Sequence, residues 1–345
     1  EKTDLIEEDI MKPNLLLASV AGMALLAACQ TAPADDMSDN LTAEETIEVE
    51  RVMEAEGSVE IDQSAEAEMA EMAETADEAM DVSSSVALAA ALASQPEDVQ
   101  ARYEARNPGA TLEFFGIEPG MTVVEALPGR GWYSKILLPY LGPEGKLIGA
   151  HYPDEMWIRI LPGADEERVA GILAQLEGWT ETAEGWAGEN GAKVYDYKLT
   201  TLPDDKAEKA DAALFIRALH NLYRTEAELG TFSATIAETY RILKPGGVVG
   251  VVQHRASEDT PDEWADGNAG YLKTSFVVEA FEAAGFELEE SSEVNANPAD
   301  DAGPGDIVWR LPPSFGTSEE GSAERAAFAE IGESDRMTLR FRKPE

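Results

Sequence analysis

The stretch TVVEALPGRGWYS, residues 122–134, decides the fold of this chain. Its β-branched beginning predicts a buried strand, and the amphipathic run YSKILLPYL that follows the loop predicts a helix. Between them, Gly129 and Gly131 carry no Cβ atoms, so that a ligand can approach the backbone closely. A strand, a glycine loop and a helix in this order are typical of the first unit of a doubly wound α/β domain.

Apolar strands and helices alternate after this loop. The expected strands are KLIGAHY, AKVYDYKL, ADAALFIRALH, GVVGVVQHR, FELEESSEV and RMTLRFRK. Near-continuous apolar strands separated by helices predict a doubly wound, mostly parallel seven-stranded sheet covered on both faces, and its C-terminal strand is expected to be antiparallel. Such sheets bind ligands outside the carboxyl ends of their strands.

The segment before this domain has the pattern of an export signal. Lys12 precedes an apolar run over residues 15–28, which is about 14 residues long and shorter than the roughly 20 that a membrane span needs. The motif LAAC, residues 26–29, resembles the bacterial lipobox, which implies lipidation at Cys29. Gln30 after the cysteine implies the outer membrane, at its periplasmic face. A buried apolar helix is the alternative, and it leaves the protein in the cytoplasm.

Charge is concentrated in the N-terminal part of the chain. The net charge is −42, and residues 1–95 hold 23 acidic and 3 basic side chains. This acidity disfavours nucleic acid as a partner. Dense like charge without a sustained apolar face predicts an acidic tether, disordered or partly helical. We therefore expect an upstream extension and lipoprotein signal over 1–28, the tether over 29–93 and the α/β domain over 94–345.

The single cysteine excludes an intrachain disulfide and a cysteine-based metal site, and we expect no bound metal. The Gly-x-Gly loop also lacks the third glycine of a dinucleotide fingerprint, because Ser134 stands in its place. This departure argues against a nicotinamide dehydrogenase.

Several segments together resemble one enzyme family. An acidic strand end, the Gly-x-Gly loop, the LKPGG turn and the C-terminal strand pair resemble class I S-adenosylmethionine-dependent methyltransferases. EALPGRGWYSKILLPYLG, RALHNLY, LKPGGVVGVVQHR and IGESDRMTLRFRKP resemble, more narrowly, a bacterial group of predicted methyltransferases. The resemblance covers about residues 96–345. It implies S-adenosylmethionine as cofactor and leaves the acceptor open, as a small or lipid-like molecule.

The resemblance also implies where the cofactor binds. The cofactor-binding candidates are Glu125, Pro128, Gly129, Gly131, Trp132, Tyr133, Asp154, Asp196 and Arg217. The loop residues would hold the methionine part, with Trp132 and Tyr133 packed beside it. The second strand of the family ends in an acid that binds the ribose, whereas GAHYPD offers only the displaced Asp154. Asp196 would contact the adenine amino group, and Arg217 would line the methyl-transfer site.

Three histidines fall at the carboxyl ends of expected strands: His151, His220 and His254. A histidine there can act as a general base near neutral pH, and His220 and His254 are the catalytic candidates. A capping or packing role is the alternative for each. Glu333 and Arg336 in ESDRM predict either a salt-bridged turn or a charged cluster facing the substrate, and the segment with VWRLPP is placed to cap the pocket.

Two functions remain open from the sequence. The intact glycine loop favours an exported, lipid-anchored methyltransferase. The export signal favours a non-catalytic binding or assembly protein that retains the fold, because S-adenosylmethionine is not expected outside the cytoplasm. The fold alone does not decide between them, and we favour the enzyme.

Overall fold

The computed structural model describes residues 82–161 and 163–345. The predicted signal, Cys29 and the tether up to residue 81 lie outside the described residues. Within them, no helix is long and apolar enough to cross a membrane.

One mixed sheet organises the domain. Its strands are β1 (Thr122–Ala126), β2 (Lys146–His151), β3 (Lys193–Lys198), β4 (Ala210–Ile216), β5 (Leu243–Ala256), β6 (Leu272–Lys273), β7 (Glu287–Ser292) and β8 (Arg336–Arg342). The order across the sheet is β3-β2-β1-β4-β5-β8-β7, and the short β6 pairs with the end of β5. Strand β8 is antiparallel to β5 and β7, and the other pairings are parallel. The predicted mostly parallel α/β fold, with its antiparallel C-terminal strand, is confirmed.

Helices cover both faces of the sheet. In chain order they are α1 (Glu97–Gln100), α2 (Tyr103–Arg106), α3 (Pro108–Phe114), α4 (Ser134–Leu141), α5 (Asp154–Ile160), α6 (Glu166–Glu177), α7 (Trp179–Ala187), α8 (Leu219–Arg224), α9 (Glu226–Leu229), α10 (Thr231–Ile242), α11 (Thr274–Ala283) and α12 (Ala323–Ile331). On one face, Ile136 and Leu137 of α4 share a buried cluster with Val123 of β1. On the other face, Ile236 of α10 and Phe281 of α11 share a second cluster with strand residues. Burial of these apolar surfaces is the main term that stabilises the sheet.

One strand boundary differs from the expectation. The fourth strand ends at Ile216, so that His220 lies in the first turn of α8 and not at a strand end. Two glycines also separate neighbouring helices. Gly230, with a φ of 64° in the left-handed region, lies between α9 and α10. Gly178 lies between α6 and α7. Glycine allows these left-handed and irregular caps at little cost.

The packed part of the chain reaches further toward the N-terminus than the expected boundary at residue 94. Residues 82–93 are helical. Leu88 and Ala91 of this helix are buried in the cluster that contains α4, and the Ser84 hydroxyl lies 2.8 Å from that of Tyr140. A segment assigned to the tether is therefore part of the domain.

Candidate functional site

The ends of β1, β4 and β5 open onto one cavity of about 420 Å³, which we call the loop cavity. Its walls include six of the residues selected from the sequence: Pro128, Gly129, Trp132, Arg217, His220 and His254. These residues come from three separate parts of the chain, and the sheet order β1-β4-β5 brings them together. The cavity thus lies at the carboxyl edge of the parallel strands, where ligands of such sheets bind.

The loop after β1 is shaped by left-handed residues. Leu127 has a φ of 53° and Gly129 a φ of 55°. A Cβ built on Gly129 would find no heavy atom closer than the Leu127 carbonyl oxygen, at 3.9 Å. The space beside Gly129 is therefore open, as the approach of a ligand to this backbone requires.

Gly131 serves packing instead. Its N–H donates to the Pro128 carbonyl at 2.8 Å, and its φ is 73°. A Cβ on Gly131 would lie 2.0 Å from the ring of Trp186, which projects from α7. The sequence predicted that both glycines admit a ligand, and for Gly131 the structure shows a tryptophan in that space.

Glu125 is enclosed at the end of β1 and is not among the residues that line the cavity. Its carboxylate accepts a hydrogen bond from the Ser134 hydroxyl at 2.6 Å. Burial raises the pKa of this carboxyl to about 7, although the hydrogen bond from Ser134 lowers it. The expected direct contact of Glu125 with a ligand is not provided by this geometry. Instead, the side chain ties β1 to the first turn of α4.

The two aromatic residues after the loop divide their roles. Trp132 lines the cavity, and the guanidinium of Arg106 lies over its ring, 4.6 Å from the ring centroid. The indole N–H of Trp132 has no hydrogen-bond partner among the described residues. Tyr133 is buried beneath it, with its hydroxyl 3.5 Å from the Arg106 carbonyl oxygen. Of the predicted pair, Trp132 alone faces the cavity.

His220 and His254 lie side by side, with ring centroids 5.4 Å apart. The Nδ1 atom of His254 lies 2.5 Å from the Ser334 hydroxyl, and that of His220 lies 3.3 Å from Oε1 of Gln253. Burial lowers the pKa of His220 to about 4, and burial together with nearby positive charge holds the pKa of His254 well below its usual range. Both rings are therefore neutral at pH 7, as a hydrogen-bond acceptor for a substrate O–H or N–H must be.

Arg106 and Arg217 line the loop cavity, and both pair with Glu333 together with two further arginines. We call the group Arg102, Arg106, Arg217, Arg336 and Glu333 the arginine cluster. Burial alone would raise the pKa of Glu333, but the surrounding arginines hold it below its usual range. Burial and the charge of Arg217 lower the pKa of Arg106 to about 10.

The segment ESDRM combines the two readings that the sequence left open. Glu333 is both part of a salt-bridged turn and a residue of the cavity wall. Asn297 holds this turn by donating to the Ile331 and Glu333 carbonyl oxygens. Nearby in the chain, Asp300 is buried in an ion pair with Arg310 at 2.7 Å. These two residues are structural.

The segment around VWRLPP closes one side of the cavity. Val308, Trp309, Leu311, Pro312, Pro313 and Ser314 all line it. The centroid of the Trp309 ring lies 5.9 Å from that of His220, in an edge-on arrangement. The structure therefore places this segment where the sequence expected a cap.

Three predicted residues lie around a different cavity, also of about 420 Å³, which we call the edge cavity. His151, Asp154 and Asp196 line it. Asp196 lies within β3, opposite Gly149. Asp154 accepts from the Lys198 ammonium at 2.5 Å, so that its carboxylate is already paired.

The ring of His151 occupies the place where the family resemblance expected an acid. It packs edge-on against Trp179, with centroids 5.3 Å apart. Neither of its ring nitrogens has a hydrogen-bond partner among the described residues. Burial lowers its pKa to about 4. An unpartnered neutral imidazole beside Asp196 offers one donor and one acceptor to a ligand with hydroxyl or amino groups.

Two separate groups of residues suit the two ends of S-adenosylmethionine. The open backbone at Gly129 suits the methionine end, and the unpartnered His151 with Asp196 suits the adenosine end. In the part of the chain that the structure describes, no group of three His, Cys, Asp or Glu side chains is arranged to hold a metal ion.

Arg106 was missed from the sequence, although it lies at the centre of the site. It belongs to α2, 19 residues before Glu125 in the chain, and no motif marks it. Its position depends on the packing of α2 against the start of β8, where the Arg336 guanidinium donates to the Ala105 carbonyl. Such a contact between distant segments leaves no local signal in a sequence.

No protein-family model matches this chain, and no curated protein matches it. Among solved structures, it is similar to a SAM-dependent methyltransferase from Aquifex aeolicus, at 19% identity and a TM-score of 0.38 over 58% of this chain and 93% of that one. It is also similar to the [4+2]-cyclase SpnF, at 17% identity and a TM-score of 0.41 over 70% of this chain and 80% of that one. A third is the 1,6-didemethyltoxoflavin-N1-methyltransferase of Burkholderia thailandensis, at 13% identity and a TM-score of 0.38 over 72% and 82%. At these values, the similarities carry no conclusion about activity.

Proposed function

We propose that this chain is an S-adenosylmethionine-dependent methyltransferase, exported and lipid-anchored through Cys29, that acts on a small or lipid-like acceptor. One observation carries the enzymatic part: the open glycine loop, the end of β4 and two neutral histidines line a single cavity. A loop that admits a ligand and side chains that can receive a proton are the two parts that such a reaction needs.

When bound, S-adenosylmethionine supplies an electrophilic methyl group. The residues that would hold it are those of the loop at Gly129 and, at the adenosine end, His151 and Asp196. The Nδ1 atom of His220 faces the side-chain carbonyl oxygen of Gln253 and must donate to it, so that its Nε2 remains to accept the proton of an acceptor O–H or N–H. Nε2 of His254 has the same capacity in the tautomer in which Nδ1 donates to the Ser334 hydroxyl. Trp309 and the proline-rich segment cover this part of the cavity and limit the access of water.

The loop assignment is tested by calorimetry of the full-length chain with S-adenosylmethionine and S-adenosylhomocysteine. We expect both to bind the unmodified protein. Gly129→Val should weaken binding at least about tenfold, or 1.4 kcal/mol, because the added side chain fills the open space beside the loop.

Gly116→Val is the matched control. Gly116 has a φ of 66° and, like Gly129, no crowding atom near its Cβ position, but it is not among the residues of either cavity. Both variants should therefore carry a similar backbone penalty, of about 1–2 kcal/mol, and only Gly129→Val should lose affinity. Equal affinity in both variants would refute the loop assignment. Absence of binding to the unmodified protein would refute the enzyme and favour a non-catalytic binding or assembly protein.

A further inference from the structure

The arginine cluster has more positive charge than its own carboxylate can neutralise. Four guanidinium groups surround Glu333, which leaves a surplus of three positive charges. The next acid along the chain, Asp335, is paired with Arg255 at 2.7 Å. A surplus of this size at a partly buried wall attracts an anion, because screening by water is weaker there than at the surface.

Two of these arginines have hydrogen-bond donors to spare. Arg217 approaches Glu333 only to 3.8 Å, and its guanidinium makes no hydrogen bond within residues 82–161 and 163–345. Arg106 uses Nε for Glu333 and lies against the face of Trp132, so that its terminal N–H groups remain without an acceptor in the same residues. Both side chains line the loop cavity.

The backbone holds Arg217 in place for this role. Its φ of 59° lies in the left-handed region, where residues other than glycine are uncommon. Its N–H donates to the Val252 carbonyl at 2.6 Å, which fixes the turn between β4 and α8 against β5. A backbone conformation of this kind, in a residue that lines a cavity, is a pointer to function.

We propose that the methyl acceptor carries a carboxylate or phosphate group, and that the spare N–H groups of Arg106 and Arg217 bind it. The inference rests on the proposed function and deepens it by naming the class of acceptor. Planar guanidinium groups suit either anion, because two parallel N–H groups match two oxygens. With the anion bound there, the body of the acceptor lies between Trp132 and Trp309, within the cavity that His220 and His254 also line.

The same chemistry has a second source, the methionine carboxylate of the cofactor itself. The two sources differ in one consequence. If the arginines bind the cofactor, S-adenosylhomocysteine competes with a small anion and its affinity depends on Arg217. If they bind the acceptor, both ligands bind together and the affinity for S-adenosylhomocysteine is independent of Arg217.

Ligand-observed NMR on the full-length chain, with benzoate and inorganic phosphate as probes and benzamide as the uncharged analogue, tests the proposal. With saturating S-adenosylhomocysteine present, we expect benzoate to bind at least about tenfold more tightly than benzamide. Arg217→Gln should remove this preference and change the affinity for S-adenosylhomocysteine less than twofold. Arg159→Gln removes the same charge at an exposed site paired with Glu228 and should leave both affinities unchanged.

Glu333→Gln should strengthen benzoate binding, which is the opposite of the effect of Arg217→Gln. The reason is that removing the carboxylate raises the surplus from three positive charges to four. Competition between benzoate and S-adenosylhomocysteine would assign the arginines to the cofactor and overturn the proposal. A loss of affinity for both ligands in Arg217→Gln would have the same meaning. Equal binding of benzoate and benzamide, or no binding of benzoate and phosphate, would also overturn it. The probes are measured without S-adenosylhomocysteine as well, so that failure of the anion site is distinguished from failure of cofactor binding.

Discussion

Glu125 shows how one residue can be placed correctly by the sequence and still have another role. The sequence predicts an acid near the end of the first strand, and in the structure Glu125 lies in β1. Its carboxylate, however, is buried and accepts a hydrogen bond from Ser134. Folding raises the pKa of its carboxyl from 4.5 to about 7. The folded state therefore keeps a proton that the unfolded chain releases, and the free energy of unfolding falls as the pH rises from 4.5 to 7.

Glu125→Gln should abolish this loss, because an amide cannot ionise and can still hydrogen-bond to the Ser134 hydroxyl. The pKa shift predicts that the variant gains up to about 3 kcal/mol over the unmodified protein at pH 8, and that the gain disappears near pH 4.5. Urea denaturation at the two pH values measures it.

Glu118→Gln, at an exposed site before β1, is the control and should change the free energy of unfolding by no more than about 0.5 kcal/mol. A Glu125→Gln effect of the same size at both pH values would show that folding does not raise the pKa of this carboxyl.

For single residues, the sequence predicts where the motif residues lie in the chain, but not which side chains contact them. Gly129 and Gly131 follow from the loop pattern, yet only the fold reveals that Trp186 occupies the space beside Gly131. Asp154 was selected because an acid was missing nearby, and the structure pairs it with Lys198. Such pairings depend on neighbours in space, which the order of residues does not specify.

At the scale of elements, the strands were the most predictable part. The apolar runs of β1, β2, β4 and β8 are buried on both faces, and this burial leaves a continuous pattern in the sequence. Helix boundaries were less predictable, because Gly230 interrupts a segment whose apolar rhythm continues across it. The sequence analysis does not predict helix α5, which begins directly after Pro153. The only prediction for this stretch concerns Asp154, as a candidate ligand of the ribose.

The helix over residues 82–93 should contribute measurably to the stability of the domain. Leu88 is 1% exposed, and Val86 on the same helix is 64% exposed. Leu88→Ala should lower the free energy of unfolding by about 2–5 kcal/mol, as the loss of a buried leucine does. Val86→Ala should change it by no more than about 0.5 kcal/mol. Similar losses from both substitutions in urea denaturation would show that the helix does not pack as described.

At the scale of the whole molecule, the distribution of charge is uneven. Residues 96–345 hold 45 acidic and 23 basic side chains, a net of −22, while several of the basic ones gather at the loop cavity. Because the acidic surface of the protein repels anions, we expect anions to bind at the loop cavity rather than elsewhere on the domain.

Attachment to the envelope is a prediction for the whole chain. Cys29→Ser should move the protein from the membrane fraction to the soluble fraction, because several acyl chains are lost together and each contributes about 0.8 kcal/mol per buried CH₂. Fractionation of cells that express each form measures the change. Ser38→Ala, in the acidic segment after the cysteine, is the control and should stay with the membrane. An unmodified protein that is found in the cytoplasm would contradict the lipobox interpretation.

The position of β8 has a consequence for biosynthesis. It is the last strand in chain order, yet it inserts between β5 and β7, and the residues that lead into it complete the wall of the loop cavity. On a nascent chain, the glycine loop, His220 and His254 are therefore made before Glu333 and Ser334, which lie beside them in the cavity wall. The wall of the loop cavity is complete only when translation has passed these two residues, so that ligand binding at this cavity has to wait for them.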